Sequence, residues 1–96
     1  MMKQLLIHED VVARLGDVPA WHHRGNAIER VFDSGDFSGA MRFANRVADA
    51  ATAADHHPDI LISYNRVTVT LTSHDAGGLT ERDFALARTI DRFVDR

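Results

Sequence analysis

The sequence predicts an α+β fold in which a four-stranded antiparallel sheet is covered on one face by helices, in the order α-β-β-α-β-β-α. Three observations lead there. The run from Phe37 to Ala54 is the longest stretch with helical periodicity. Pairs of short apolar segments lie before and after it, each pair broken by a turn signal. Shorter segments at the two ends, one before Gly16 and one after Gly78, read as a first and a last helix.

Taken in order, Leu5, Leu6, Val11, Val12 and Leu15 fit a short amphipathic helix over Leu5–Leu15 that stops at Gly16, and Pro19 marks the exit. Trp21–Arg24 and Ala27–Phe32 read as strands joined at Gly25-Asn26, because both residues tolerate the positive φ of a tight turn. Trp21, the only tryptophan, is expected in the core or an interface. Asp33, Ser34 and Asp36 offer capping oxygens for the long helix. Its buried stripe is expected to be Phe37, Ala40, Met41, Ala44, Val47, Ala48 and Ala51. Pro58 disfavours helical geometry at His57, so the helix should end near Asp55. Ile60–Tyr64 and Val67–Thr72 then form a hairpin around Asn65-Arg66, with apolar and hydroxyl residues alternating in the second strand. After Ala76-Gly77-Gly78, Thr80 and Asp83 have the spacing of a capping box for a last helix that runs to about Phe93. Its inner stripe is Phe84, Ala87, Ile90 and either Phe93 or Val94.

Composition narrows the function. With 96 residues and 45% hydrophobic content, one domain over residues 1–96 is expected. The 11 basic and 14 acidic residues are interspersed and the net charge is -3, so no basic stripe suits a phosphate backbone and no direct nucleic-acid partner is expected. There is no cysteine, which removes disulfides, thiolate metal sites and a cysteine nucleophile and suits a reducing cytoplasm. The apolar run Leu5-Leu6-Ile7 is too short for a signal-peptide core or a membrane span, so a cytoplasmic protein without a membrane role is expected. The excess that invites chemistry is six histidines.

Three of them converge on paper. If Asn65-Arg66 is the hairpin loop, Tyr64 faces Val67, and continuing that register sets His57 opposite His74. A slip of two residues still keeps His74 beside His56-His57, because diagonal cross-strand neighbours lie only about 7–8 Å apart. On spacing alone the cluster has three readings: polar residues at a solvated rim, a metal site, or acid–base catalysis. Adjacent histidines diverge and no H-x-H or H-E-x-x-H spacing occurs, which weighs against metal. Imidazole's ordinary pKa of about 6.5 suits proton transfer at neutral pH. His8, His22 and His23 read as exposed and uninvolved, and spacing alone makes Asp83 a capping acid and Tyr64 a turn flank.

The segment DHHPDILISYNRVTVTLTSHDAGGLTERD, Asp55 to Asp83, resembles the pterin-4a-carbinolamine dehydratases, a family that includes the dimerisation cofactor of a homeodomain transcription factor. His56, His57, Pro58, Tyr64, His74 and Asp83 fall on the family's pattern with the expected gaps. The likeness extends more weakly to Trp21, to AIERVF and to GDFSGAMRFANRVADAA. It departs at Thr52, one helical turn before His56, where the family usually has glutamate.

This resemblance implies a hydro-lyase that removes water from a 4a-hydroxytetrahydropterin to give quinonoid dihydropterin, in the recycling of tetrahydrobiopterin. It implies His56 and His74 as acid and base, with His57 holding the pterin or sharing proton transfer. Asp55, Pro58, Thr72, Ser73 and Asp75 are implied substrate contacts, with Tyr64, Asp83 and Thr52 in support. Neither a metal nor an organic cofactor is expected. The implied partners are the pterin, an aromatic amino acid hydroxylase that supplies it, and further copies of the chain in a homodimer or homotetramer. The alternative is a non-catalytic assembly or coactivator module on the same fold, which the uncharged Thr52 favours.

Overall fold

The computed structural model describes residues 4–94; the ends of the expected 1–96 domain lie outside the described residues. Its elements are α1 (His8–Leu15), β1 (His22–Arg24), β2 (Ala27–Asp33), α2 (Phe37–Ala54), β3 (Asp59–Ser63), β4 (Arg66–Leu71), a 3-10 turn at His74–Ala76, and α3 (Glu81–Asp91). The strands form one antiparallel sheet in the order β1-β2-β4-β3. Class and element order are those expected. The two central strands bury alternate residues, Ile28 and Phe32 from β2 and Val67, Val69 and Leu71 from β4, in one core with Phe43, Val47, Phe84 and Ile90 of the helices. At roughly 1.5–3 kcal/mol for each large side chain removed from water, this layer is the main source of stability.

Several expectations need correction. α1 begins at His8 and not Leu5, because the Leu6 amide is spent on the Leu79 carbonyl at 2.9 Å and Ile7 is extended. In α2 the buried residues are Ala40, Phe43, Ala44, Val47 and Ala51, whereas Phe37, Met41 and Ala48 face solvent. Those three sit about 80° further round the helix. Periodicity merged two adjacent apolar stripes and missed Phe43, since only tertiary packing decides which stripe is covered.

The second hairpin also differs. Ser63 pairs with Arg66 and Ile62 with Val67, so the turn is Tyr64-Asn65 and the register is two residues from the expected one. The side-chain period in a strand is two, so such a slip leaves every residue on its face and is invisible to hydrophobic pattern. What decides it is the turn. Tyr64 takes φ +52, and Asn65 donates from Nδ2 to Asp33 at 2.9 Å while its carbonyl accepts from the Ser34 amide at 2.7 Å. In the first hairpin Gly25, at φ +57, and Asn26 make the turn as expected. The inner stripe of α3 is completed by Leu86 and, just past the helix end at Asp91, by Phe93, while Val94 is exposed.

Two polar ties fix α3 against the rest. Trp21, buried, donates from Nε1 to Asp91 at 2.8 Å, and Arg30 reaches the same oxygen at 2.6 Å. At the other end Arg14 of α1 pairs with Glu81, and its hydrogen bonds hold the Glu81 carboxyl below the usual carboxylate range. α3 is thereby anchored at both termini.

Candidate active site

α2 ends in a turn that aims the next residue inward. Asp55 adopts the left-handed conformation, φ 52 and ψ 43, with its amide on the Thr52 carbonyl at 3.1 Å, while the His56 amide reaches back to the Ala51 carbonyl at 3.0 Å. This paired 6→1 and 5→2 arrangement is a Schellman motif, completed here by an aspartate where glycine is usual. It folds the chain back, so that His56 is only 7% exposed. Pro58 then starts the extended path into β3.

Buried beneath the turn, His56 meets α3. Its Nε2 lies 2.5 Å from Oδ1 of Asp83, which is fully buried. Asp83 Oδ2 accepts from the Thr80 amide at 2.9 Å, as its capping-box position predicts, and from Ser73 Oγ at 2.8 Å. Ser73 Oγ is in turn 2.8 Å from Thr80 Oγ1. The protons of this chain can be assigned by counting. An ionised carboxylate only accepts, so the single Ser73 hydroxyl proton goes to Asp83, and Thr80 must donate to Ser73. With Asp83 as the acceptor, His56 donates from Nε2, and Nδ1 is the nitrogen left for other chemistry.

In front of this network lies a cleft of about 290 Å³ lined by Asp55, His56, His57, Thr72, His74, Asp75 and Arg82. His57 and His74 are exposed. His74 rides on a tight loop closed by reciprocal bonds between Ser73 and Gly78, at 3.0 and 3.2 Å, with Gly77 at φ +80 where a side chain would be strained. Asp75 on the same loop pairs with Nη2 of Arg82 at 2.7 Å. Thr72 donates to the Asn26 carbonyl at 2.6 Å, so its hydroxyl can still accept. The cleft thus offers imidazole, carboxylate and guanidinium groups around one concavity. Among the described residues no group of three His, Cys, Asp or Glu side chains is arranged to hold a metal ion.

The three histidines expected to meet do line one cleft, with Asp55, Thr72 and Asp75. Ser73 stands behind the cleft instead, 1% exposed with its hydroxyl spent on Asp83. Pro58 is half-buried and does not line the cleft, and Thr52 is exposed on the last turn of α2. Tyr64 occupies the hairpin tip, at the opposite end of β3 from His57, and is 66% exposed. Sequence reasoning missed Arg82. A charged residue in the first turn of a helix reads as solvated, and its place beside Asp83 was the one available signal.

The family model for pterin 4 alpha carbinolamine dehydratase matches residues 4–93. A protein of Cyanothece sp. named for that dehydratase activity is 48% identical over 91 residues, covering 95% of this chain and 94% of its own length. One of the same name from Acidobacterium capsulatum is 56% identical over 81 residues, covering 84% and 88%. Among solved structures, a transcriptional coactivator/pterin dehydratase from Brucella melitensis superposes with a TM-score of 0.85 at 36% identity, over 91% of this chain and 95% of that one. A pterin dehydratase-like RuBisCO assembly factor of the alpha-carboxysome has a TM-score of 0.64 at 22% identity, over 79% and 90%, and so shares the fold. The family model and these relatives show that the chain belongs to the pterin-4-alpha-carbinolamine dehydratase family.

Proposed function

We propose that this chain is a 4a-hydroxytetrahydrobiopterin dehydratase that works by histidine acid–base catalysis. The observation that carries the reading is the meeting of His56, His57 and His74 in one cleft, two of them exposed and the third oriented from behind by Asp83. Elimination needs a proton delivered to the 4a-oxygen, so that it leaves as water when the C4a–O bond breaks, and a proton taken from N5 as the C4a–N5 double bond forms. Imidazoles serve both roles near neutral pH. All three line the same concavity, so the acid and the base are drawn from this set. Asp55, Thr72 and Asp75 present oxygens to the donor edge of the pterin, Ser73 acts through Asp83, and Pro58 shapes the approach. Thr52 brings no charge to the last turn of α2, and Tyr64 takes no direct part.

The substrate is a 4a-hydroxytetrahydropterin released by an aromatic amino acid hydroxylase, the protein is cytoplasmic, and it works as a homodimer or homotetramer. Stopped-flow turnover of enzymatically generated 4a-hydroxytetrahydropterin tests the reading. His74→Ala and His57→Ala should each lose about 10²–10⁴-fold in kcat while keeping the wild-type circular dichroism spectrum. Turnover at the wild-type rate in both variants refutes it. An assembly or coactivator role remains the second reading because Thr52 departs from the family's glutamate; a stoichiometric partner in a pull-down, together with no pterin turnover, would decide for it.

A further inference from the structure

The loop that carries His74 is backed by the N-terminal segment of the chain. Its closure rests on the Ser73 carbonyl, which accepts from the Ala76, Gly77 and Gly78 amides at 3.0, 3.0 and 3.2 Å. The stretch that follows, from Gly78 to Glu81, is tied to residues ahead of β1. Leu5 lies over Gly78, so close that a methyl group placed on that glycine would stand 2.9 Å from Leu5 Cδ1, with Asn26 Cβ next at 4.0 Å. The Leu6 amide donates to the Leu79 carbonyl at 2.9 Å, and Arg14 pairs with Glu81. This same stretch leads from His74 to Asp83, the partner of His56. The contact at Leu5 is unlike a core contact. Leu5 is 50% exposed and stands outside the core cluster, whereas Gly78 beneath it is buried.

A concavity of about 190 Å³ opens beside this contact, with Leu5, Leu6, Val11, Asn26, Gly77 and Gly78 in its lining, and it shares no residue with the histidine cleft. The loop thus has space to recede on that side, and the Leu5 side chain stands where it would do so. The proposal rests on the dehydratase reading, in which His74 moves a proton and must keep its place relative to His56; a displacement of about 1 Å can cost about 10²-fold in rate. We propose that Leu5 is a positioning residue for His74: its contact with Gly78 stops the loop and so holds the imidazole toward the cleft. Gly78 is required for the fit, because a side chain there would press on Leu5 and drive the loop and the N-terminal segment apart. The bond from Leu6 to Leu79 sets the depth at which Leu5 lies.

The test is a double-mutant cycle on the full chain, read by stopped-flow turnover of enzymatically generated 4a-hydroxytetrahydropterin and by the His74 ring signal in NMR. Leu5→Ala opens a gap over Gly78, and Gly78→Ala crowds an intact Leu5. Each should lower kcat about tenfold, measured well below the Tm of the variant. Together the two changes put a methyl group in the space the leucine tip leaves, so the double variant should recover to within about threefold of wild type. Leu5→Met keeps the reach of the side chain and should hold the wild-type rate. A wild-type kcat in Leu5→Ala with only a lower Tm marks a merely structural contact and overturns the proposal, as do losses that multiply in the double variant. If wild type turns over no carbinolamine, the dehydratase reading fails, and the ring signal decides the positioning. A His74 shift in both single variants that returns in the double variant supports it. An unmoved signal in either single variant, or no return in the double, overturns it.

Discussion

Asp83 makes more bonds than starting a helix requires. Its carboxylate accepts from the Thr80 amide, the Ser73 hydroxyl and the His56 ring, all buried. Asparagine at this position must turn its NH2 toward at least one of these donors. Asp83→Asn should therefore lower unfolding stability by about 2–3 kcal/mol, measured in urea. It should also cost turnover beyond that, because His56 loses the partner that sets its tautomer; wild-type activity in a folded variant would refute this role. The sequence showed half of this arrangement. Thr80 and Asp83 announce their capping box by spacing, and the hairpin brings His74 to His56-His57 even with the register slipped by two. The bond from Asp83 to His56 was not legible. It depends on Asp55 entering the left-handed region, a choice no local pattern signals.

Among the elements, the end of α2 and the end of β2 show how turn residues are used. Asp55 holds φ 52 without glycine's freedom, a conformation that costs most residues about 1–2 kcal/mol and aspartate less. Asp55→Gly should leave thermal stability equal or higher by up to about 0.5 kcal/mol, while lowering turnover through loss of the carboxylate at the cleft. A clear fall in Tm would contradict that account. Asp33 is different: the Gly35 amide first and the Asn65 side chain second hold its carboxyl below the usual carboxylate range. A depressed folded value contributes stability that is present above the unfolded pKa, near 4, and lost as pH falls through the folded value. The Tm gap between wild type and Asp33→Ala should thus be full at pH 7 and close below about pH 4; a gap that persists in acid would mean that the carboxylate is not its source. This pair of bonds also explains why the second hairpin resisted prediction. Asn65 is committed to β2, a partner distant in sequence, and that commitment selects Tyr64-Asn65 over Asn65-Arg66.

For the whole molecule, the surfaces left open are as informative as the core. Phe37 and Met41 of α2, with Val31 and Leu61 on the uncovered face of the sheet, are 40–63% exposed, and among the described residues β3 ends the sheet with one side unpaired. Apolar stripes and open strand edges of this kind are commonly covered by another copy of the chain. Light scattering at micromolar concentration should give at least twice the 10.7 kDa chain mass; a monomer mass would refute it. The fold class was legible because periodicities of two and 3.6 alternate cleanly along the chain. Which of the two stripes of α2 faces inward was not, since both share that period.

The bond between His56 and Asp83 spans 27 residues and joins the end of one helix to the start of another. Its consequence is temporal. Neither hairpin nor helix can orient that imidazole alone, so catalytic competence should arrive late in folding, after most helical signal has formed. Refolding followed by turnover should lag behind refolding followed by circular dichroism. On the dehydratase reading, loosening of the α3 start in mild denaturant should abolish turnover while the helices still stand.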